Sequence, residues 1–322
     1  MITSHAPIAA SVLDTIGNTP LVRLNRVVPA GAAEVLVKLE YFNPTGSYKD
    51  RMAAAMVAGA EQRGALRPGM RVVEYTGGST GSSLAMVCAI RGYPFTPLSS
   101  DAFSREKLET MRAFGARLQL IPSEGGQITP GLFRKMKAEA EQQAKDAGVF
   151  YSNQFYNEDA ITGYMDIGRE IVRQAGTGLD VFCAGVGTAG MLVGVSRALK
   201  AAGCSTRIIA LEPASSPFLT TGVGGPHRVE GIAAGIVPPH LTRDSYDEAR
   251  AVDESRARAM ARRLAREEGI FAGTSTGLNV AAAIDLAVAL GAGHSVATVA
   301  CDTGLKYLAG DLFASQAITE DA

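Results

Sequence analysis

From residue 34 to the end of the chain, short β-branched runs alternate with longer, alanine-rich runs of helical period. No other feature constrains the fold as strongly, because a strand followed by a covering helix returns to a parallel neighbour and leaves both sheet faces buried. Strands are expected at Glu34–Leu39, Arg71–Tyr75, Phe95–Leu98, Arg117–Ile121, Val149–Ser152, Leu179–Ala184, Arg207–Leu211 and Ser295–Ala300. Helices are expected at Lys49–Arg63, Ser79–Arg91, Arg105–Phe114, Pro130–Ala147, Asp159–Gln174, Thr188–Ala202, Glu254–Glu268, Gly277–Leu290 and Gly304–Leu312. The class is therefore α/β with doubly wound parallel sheets, and ligands should gather where loops leave the carboxyl ends of strands. The stretch Pro213–Pro239 has little periodicity and is too long for an ordinary connection, so it is read as a functional loop.

Charge and cysteine usage exclude several classes of function. Lys and Arg total 31 against 32 Asp and Glu, without a basic stripe, so no nucleic-acid partner is expected. Cys88, Cys183, Cys204 and Cys301 are widely spaced, with no His at metal-ligand spacing, so no metal is expected; Cys183 and Cys301 read as core residues in a reducing compartment. The N-terminus lacks a basic segment ahead of an apolar one, and the apolar window Ala281–Ala300 is broken by Asp285, Gly291, Gly293 and His294. A cytoplasmic chain with no membrane association is expected.

Three helix starts could each hold an anion or a reactive group. In Asn43-Pro44-Thr45-Gly46-Ser47-Tyr48-Lys49-Asp50-Arg51, the spacing of Ser47 and Asp50 suggests a capping box with Ser47 as N-cap. Lys49 then sits in the first turn, where the helix dipole opposes its charge and lowers its pKa, as suits a nucleophile; from spacing alone a snorkelling surface lysine is the commoner reading. In Glu74-Tyr75-Thr76-Gly77-Gly78-Ser79-Thr80-Gly81, a strand ends in glycines and hydroxyls that could cradle a carboxylate or phosphate, or make a plain turn. Gly185-Val186-Gly187-Thr188-Ala189-Gly190 is a literal G-x-G-x-x-G, with Glu212 placed where a ribose-binding acid could stand. It suits a dinucleotide or a single phosphate monoester. A nicotinamide dehydrogenase would use only this last loop, whereas a pyridoxal phosphate enzyme would use all three.

With these motifs in place, the chain resembles the cysteine synthase (O-acetylserine sulfhydrylase) and cystathionine β-synthase family of fold-type II pyridoxal phosphate enzymes. The resemblance runs from Ile16-Gly17-Asn18-Thr19-Pro20-Leu21 through the three helix starts, Asn153-Gln154-Phe155 and Gly225–Ile232, to Asp302–Leu308. It implies two domains with the cofactor between them, as in the tryptophan synthase β fold: a smaller, mobile one over residues 43–157, and a larger one over 1–42 plus 158–322. It implies a homodimer.

It also implies roles. Lys49 would hold the cofactor and later move the Cα proton. Gly187, Thr188, Ala189, Gly190 and Met191 would bind the phosphate, Ala189 and Met191 departing from the family's Gly and Thr. Thr76, Gly77, Gly78, Thr80, Gln154 and Gly231 would meet the substrate, and Thr303 the pyridine nitrogen. Ser79 stands where the family has an Asn against the cofactor's 3′-oxygen, and Gly77 where it has a Ser. Leu98–Ala102 departs from the family pattern near the expected position of the substrate side chain. The implied reaction is β-replacement on a serine-derived amino acid, passing through an aminoacrylate to which sulfide, a thiol or an amine adds. β-Elimination by a dehydratase or desulfhydrase is the alternative, and a nicotinamide dehydrogenase or a non-catalytic cofactor-binding protein is more remote.

Overall fold

Strand-forming runs of this sequence assemble into two sheets. The computed structural model describes residues 8–127, 129–233 and 236–314. Ten strands are seen among them: β1 (Leu21–Arg23), β2 (Glu34–Leu39), β3 (Arg71–Tyr75), β4 (Phe95–Ser99), β5 (Gln119–Leu120), β6 (Val149–Tyr151), β7 (Val181–Gly185), β8 (Arg207–Pro213), β9 (Glu248–Val252) and β10 (Ser295–Ala300). The helices are α1 (Lys49–Gln62), α2 (Ser79–Arg91), α3 (Arg105–Ala113), α4 (Pro130–Gln143), α5 (Glu158–Ala175), α6 (Gly190–Ala201), α7 (Phe218–Thr221), α8 (Glu254–Arg263) and α9 (Thr274–Leu290). One sheet has the order β1-β2-β10-β7-β8-β9, the other β5-β4-β3-β6. Every pairing is parallel except β1 with β2.

Strand parity sorts the side chains into separate cores. On β7 and β8, Phe182 and Ile208 face a cluster with α1, α5 and α6, while Val181 and Ile209 face one with α8 and α9. On the smaller sheet Val72 and Phe95 join the first cluster, whereas Tyr75 and Leu98 pack on Leu132 and Met136 of α4. Both sheets are thus covered on two faces, each fully buried large side chain contributing about 1.5–3 kcal/mol of transfer free energy. Cys183 and Cys301 lie in these cores.

An ionic cluster anchors α1 from below. Arg51 pairs with Glu40 at 2.7 Å and Glu170 at 2.8 Å, and Lys38 reaches Glu170 at 2.6 Å. Burial disfavours the Glu170 charge, but Arg51 and Lys38 overcome it and hold its pKa at about 2. Removing one member would leave an uncompensated buried charge, so the cluster fixes the turn that carries Lys49.

The expected final helix Gly304–Leu312 is corrected to a 3-10 turn at Gly304–Tyr307, begun by Thr303, whose Oγ1 accepts from Leu305 N. The edge strands β1 and β9 were not expected. The stretch after Pro213 holds the one-turn α7 and then extended chain along the cleft between the sheets.

Candidate active site

The cleft, about 1170 Å³, lies at the carboxyl ends of strands from both sheets and brings the three sequence-predicted helix starts together. Lys49 opens α1 and is 6% exposed. Its Nζ lies 4.6 Å from the Tyr48 ring centroid and 5.9 Å from that of Tyr164. Burial pushes its pKa down to about 8, against the opposing influence of Cys301 and Asp302. The capping box is corrected. Tyr48, not Ser47, is the N-cap, and the Asp50 carboxylate instead accepts from Thr45 N at 2.8 Å, Thr45 Oγ1 at 2.5 Å and Ser83 Oγ at 2.6 Å. Asp50 therefore ties the lysine turn to α2, and desolvation lowers the Lys49 pKa.

The Thr76–Gly81 loop leaves β3 and enters α2. Thr76 Oγ1 accepts from Gly78 N at 3.0 Å and Gly81 N at 3.2 Å, which folds the loop upon itself. Gly78 adopts φ 154°, a conformation that a side chain would strain. Thr80 Oγ1 donates to Gln154 Oε1 at 2.8 Å, while Gln154 Nε2 donates to Tyr75 O at 3.1 Å. Among the described residues, the N–H groups of Gly77, Ser79 and Thr80 meet no backbone acceptor. Donors gathered at a helix N-terminus suit an anion. Ser79 Oγ stands 3.5 Å from Asp302 Oδ2. At Gly77 an added Cβ would come 2.6 Å from Phe103, whose ring fills that space. Leu98–Ala102 does not line the cleft; Phe103 and Ser104 do.

Across the cleft, the Gly185–Gly190 turn leaves β7 and enters α6. The N–H groups of Gly187, Thr188, Ala189, Gly190 and Met191 find no carbonyl acceptor among the described residues. A Cβ on Gly187 would collide with the Gly231 carbonyl, so the loop rests on the Gly225–Ile232 segment. Ala189 is held at φ 66°, the left-handed conformation that glycine adopts without strain. The dinucleotide reading loses its acid: Glu212 caps α7, accepting from Leu219 N at 2.6 Å and from Thr220 N at 2.9 Å.

The expected role of Thr303 does not fit its place. Its hydroxyl serves the following turn and it does not line the cleft, whereas Asp302 does. Asp302 Oδ2 accepts from Tyr307 Oη at 2.9 Å, and burial raises its pKa. Sequence reasoning also passed over Gly273-Thr274-Ser275-Thr276-Gly277, which repeats the glycine and hydroxyl pattern of Thr76–Gly81 at the N-cap and first turn of α9. Thr274 lines the cleft, and its Oγ1 is buried without a partner among the described residues. Lys107, likewise unremarked in the sequence, meets Glu230 of the Gly225–Ile232 motif in the cleft as an ion pair.

Pyridoxal phosphate carries an aldehyde, a phosphate monoester and a ring nitrogen, and the cleft offers a matching group for each. These are the Lys49 amine with its lowered pKa, the N–H groups of Gly187–Met191 that find no carbonyl acceptor among the described residues, and the unpartnered Thr274 hydroxyl at the start of α9.

Comparison with known proteins agrees. Residues 12–302 match the family described as pyridoxal-phosphate dependent enzyme. The chain is 41% identical to cysteine synthase of Staphylococcus aureus over 305 residues, 94% of this chain and 96% of the relative. It is also 41% identical to O-ureido-L-serine synthase of Streptomyces lavendulae over 309 residues, 95% of this chain and 93% of the relative. A crystal structure of an O-ureido-L-serine synthase superposes with TM-score 0.88 at 40% identity, covering 98% of each chain. Family match, parallel-sheet architecture and cleft chemistry together establish that this chain belongs to the pyridoxal-phosphate dependent enzymes of fold type II.

Proposed function

We propose that this chain replaces the β-substituent of an O-activated serine, such as O-acetylserine or O-phosphoserine, with a small nucleophile: sulfide, another thiol or an amine. The observation that carries this is a buried lysine of depressed pKa set between two helix starts, one on each sheet, whose N–H groups find no backbone acceptor among the described residues. An amino acid needs one cradle for its carboxylate, and a phosphorylated cofactor needs the other. Pyridoxal phosphate supplies the electron sink that acidifies the Cα–H.

In this reading Gly187, Thr188, Ala189, Gly190 and Met191 would hold the phosphate, and Thr274 and Ser275, which open α9, would meet the ring nitrogen in place of Thr303. Thr76, Gly77, Gly78, Thr80 and Gln154 hold the substrate carboxylate, fixing the Cα–H toward Lys49. Lys49, neutral in a large fraction near pH 8, takes the Cα proton and returns it after the nucleophile has added at Cβ. Ser79 and Gly231 line the same cleft; Ser79, with a shorter reach than Asn, would face the cofactor's 3′-oxygen, and Gly231 would border the space for the nucleophile.

We also propose that residues 43–157 move as a unit, since the smaller sheet is drawn from residues 71–151, and that the protein is a homodimer in the cytoplasm. None of the described helices is long and apolar enough to cross a membrane.

The test is to incubate the purified protein with serine, O-acetylserine, O-phosphoserine and cysteine, each with and without sulfide or N-hydroxyurea, and to identify products by mass spectrometry. The last nucleophile would give an O-ureido product. A β-substituted alanine that forms only with a nucleophile present is expected. Pyruvate and ammonia as the sole products would contradict the proposal in favour of elimination.

A further inference from the structure

We propose that Lys107 is a positioning residue that ties the substrate-carboxylate loop of one sheet to the cofactor-phosphate loop of the other. It rests on the reading of Thr76–Thr80 as the carboxylate cradle. Lys107 lies on α3, beside the smaller sheet, and is only 4% exposed. Its stem passes directly beneath Gly78, where any side chain would collide with the Lys107 methylenes. Its ammonium ion-pairs with Glu230 and sits 4.9 Å from the Tyr307 ring centroid. Val229 and Ile232, which flank Glu230, pack in the core of the larger sheet, and Tyr307 packs on Ala261 of α8 beside it; the Gly225–Ile232 segment supports Gly187 through the Gly231 carbonyl.

The contacts form one unbroken path: carboxylate loop, Lys107 stem, Lys107 ammonium, Glu230, Gly231, phosphate loop. A bound carboxylate that orders Gly77–Thr80 also fixes the surface on which the Lys107 stem rests. The ammonium then stays on Glu230, and the segment over the phosphate loop is held down. Glu230 is 36% exposed on its side chain, so the pair can open to water when the carboxylate leaves.

Hydrogen exchange of the holoenzyme, with and without saturating L-alanine, tests this. L-alanine has a carboxylate and no β-leaving group. In the unaltered protein, amides 76–81 and 225–233 should both gain protection when it binds. In Lys107→Gln and Glu230→Gln, residues 76–81 should still gain it, while the gain at 225–233 should fall roughly tenfold. The exchanged pair, Lys107→Glu with Glu230→Lys, should recover part of it. Glu230→Gln alters a side chain one-third exposed, so it keeps the test decisive if a buried Lys107 variant folds poorly. Equal protection of 225–233 in Glu230→Gln and in the unaltered protein would overturn the tie. No protection of 76–81 in the unaltered protein would overturn the carboxylate reading itself, and the tie with it.

Discussion

The Gln154 backbone N–H donates to Glu74 Oε2 at 3.0 Å, so a carboxyl buried beneath the carboxylate loop places the side chain that bonds Thr80. Ser152 Oγ adds a second bond to the same oxygen at 2.7 Å, while Oε1 has no partner among the described residues. Burial raises the Glu74 pKa from 4.5 to about 7, with those hydrogen bonds opposing the shift.

A pH dependence follows. Because the folded pKa lies above the unfolded one, the stability Glu74 contributes is fully present below about pH 4.5 and is lost as pH rises through about 7. Its size is on the order of 3 kcal/mol. Denaturant melts at several pH values should show Glu74→Gln flattening this decline between pH 5 and 7. An unchanged pH profile would mean that Glu74 keeps its ordinary pKa.

Ala189 should be replaceable with profit to stability. Its φ of 66° strains a residue bearing Cβ by about 1–2 kcal/mol, partly offset by the greater unfolded-state freedom of glycine. Ala189→Gly is expected to stabilise the protein by about 0.5–1 kcal/mol and to leave cofactor affinity unchanged, since backbone donors do the binding. Calorimetry and cofactor titration check both halves.

Thr303 and the start of α9 should separate cleanly. Thr303→Ala loses an N-cap and about 1 kcal/mol of stability, with the cofactor's absorbance unaltered. Ser275→Ala should shift that absorbance. The reverse pattern in the visible spectra of the two variants would return the ring-nitrogen role to Thr303.

Substituting Ser79 should change substrate preference. Ser79→Asn restores an amide beside Asp302, and a hydrogen bond of that kind is worth about 0.5–1.5 kcal/mol, up to about tenfold in relative rate. Identical rate ratios across the substrate panel would show that specificity lies elsewhere in the cleft.

How legible the molecule is in its sequence depends on which forces set each part. Glu34–Leu39, Arg71–Tyr75 and Ser295–Ala300 can be read to the residue, because each is a run with β-branched residues whose side chains enter a core. The edge strands β1 and β9 cannot: each pairs on one side only and carries an exposed arginine or a charged, alternating surface. The lysine turn and both glycine loops declare themselves by residue type at a strand-to-helix junction. The capping box does not form because Asp50 finds better partners in Thr45 and Ser83, the latter 33 residues away in sequence. Glu212 likewise looks free until α7 folds back over it. Lys107 and Glu230, 123 positions apart, carry no local signal of their pairing.

Of the lysines facing the cleft, Lys49 is the one assigned to hold the cofactor. Lys49, Lys107 and Lys306 all line the cleft, and Lys306 Nζ is buried without a partner among the described residues. Borohydride reduction of the cofactor-loaded protein, followed by peptide mass spectrometry, discriminates directly among them. A pyridoxyl adduct is expected on Lys49 alone, absent in Lys49→Ala. An adduct on Lys107 or Lys306, or none on any lysine of the cleft, would contradict it.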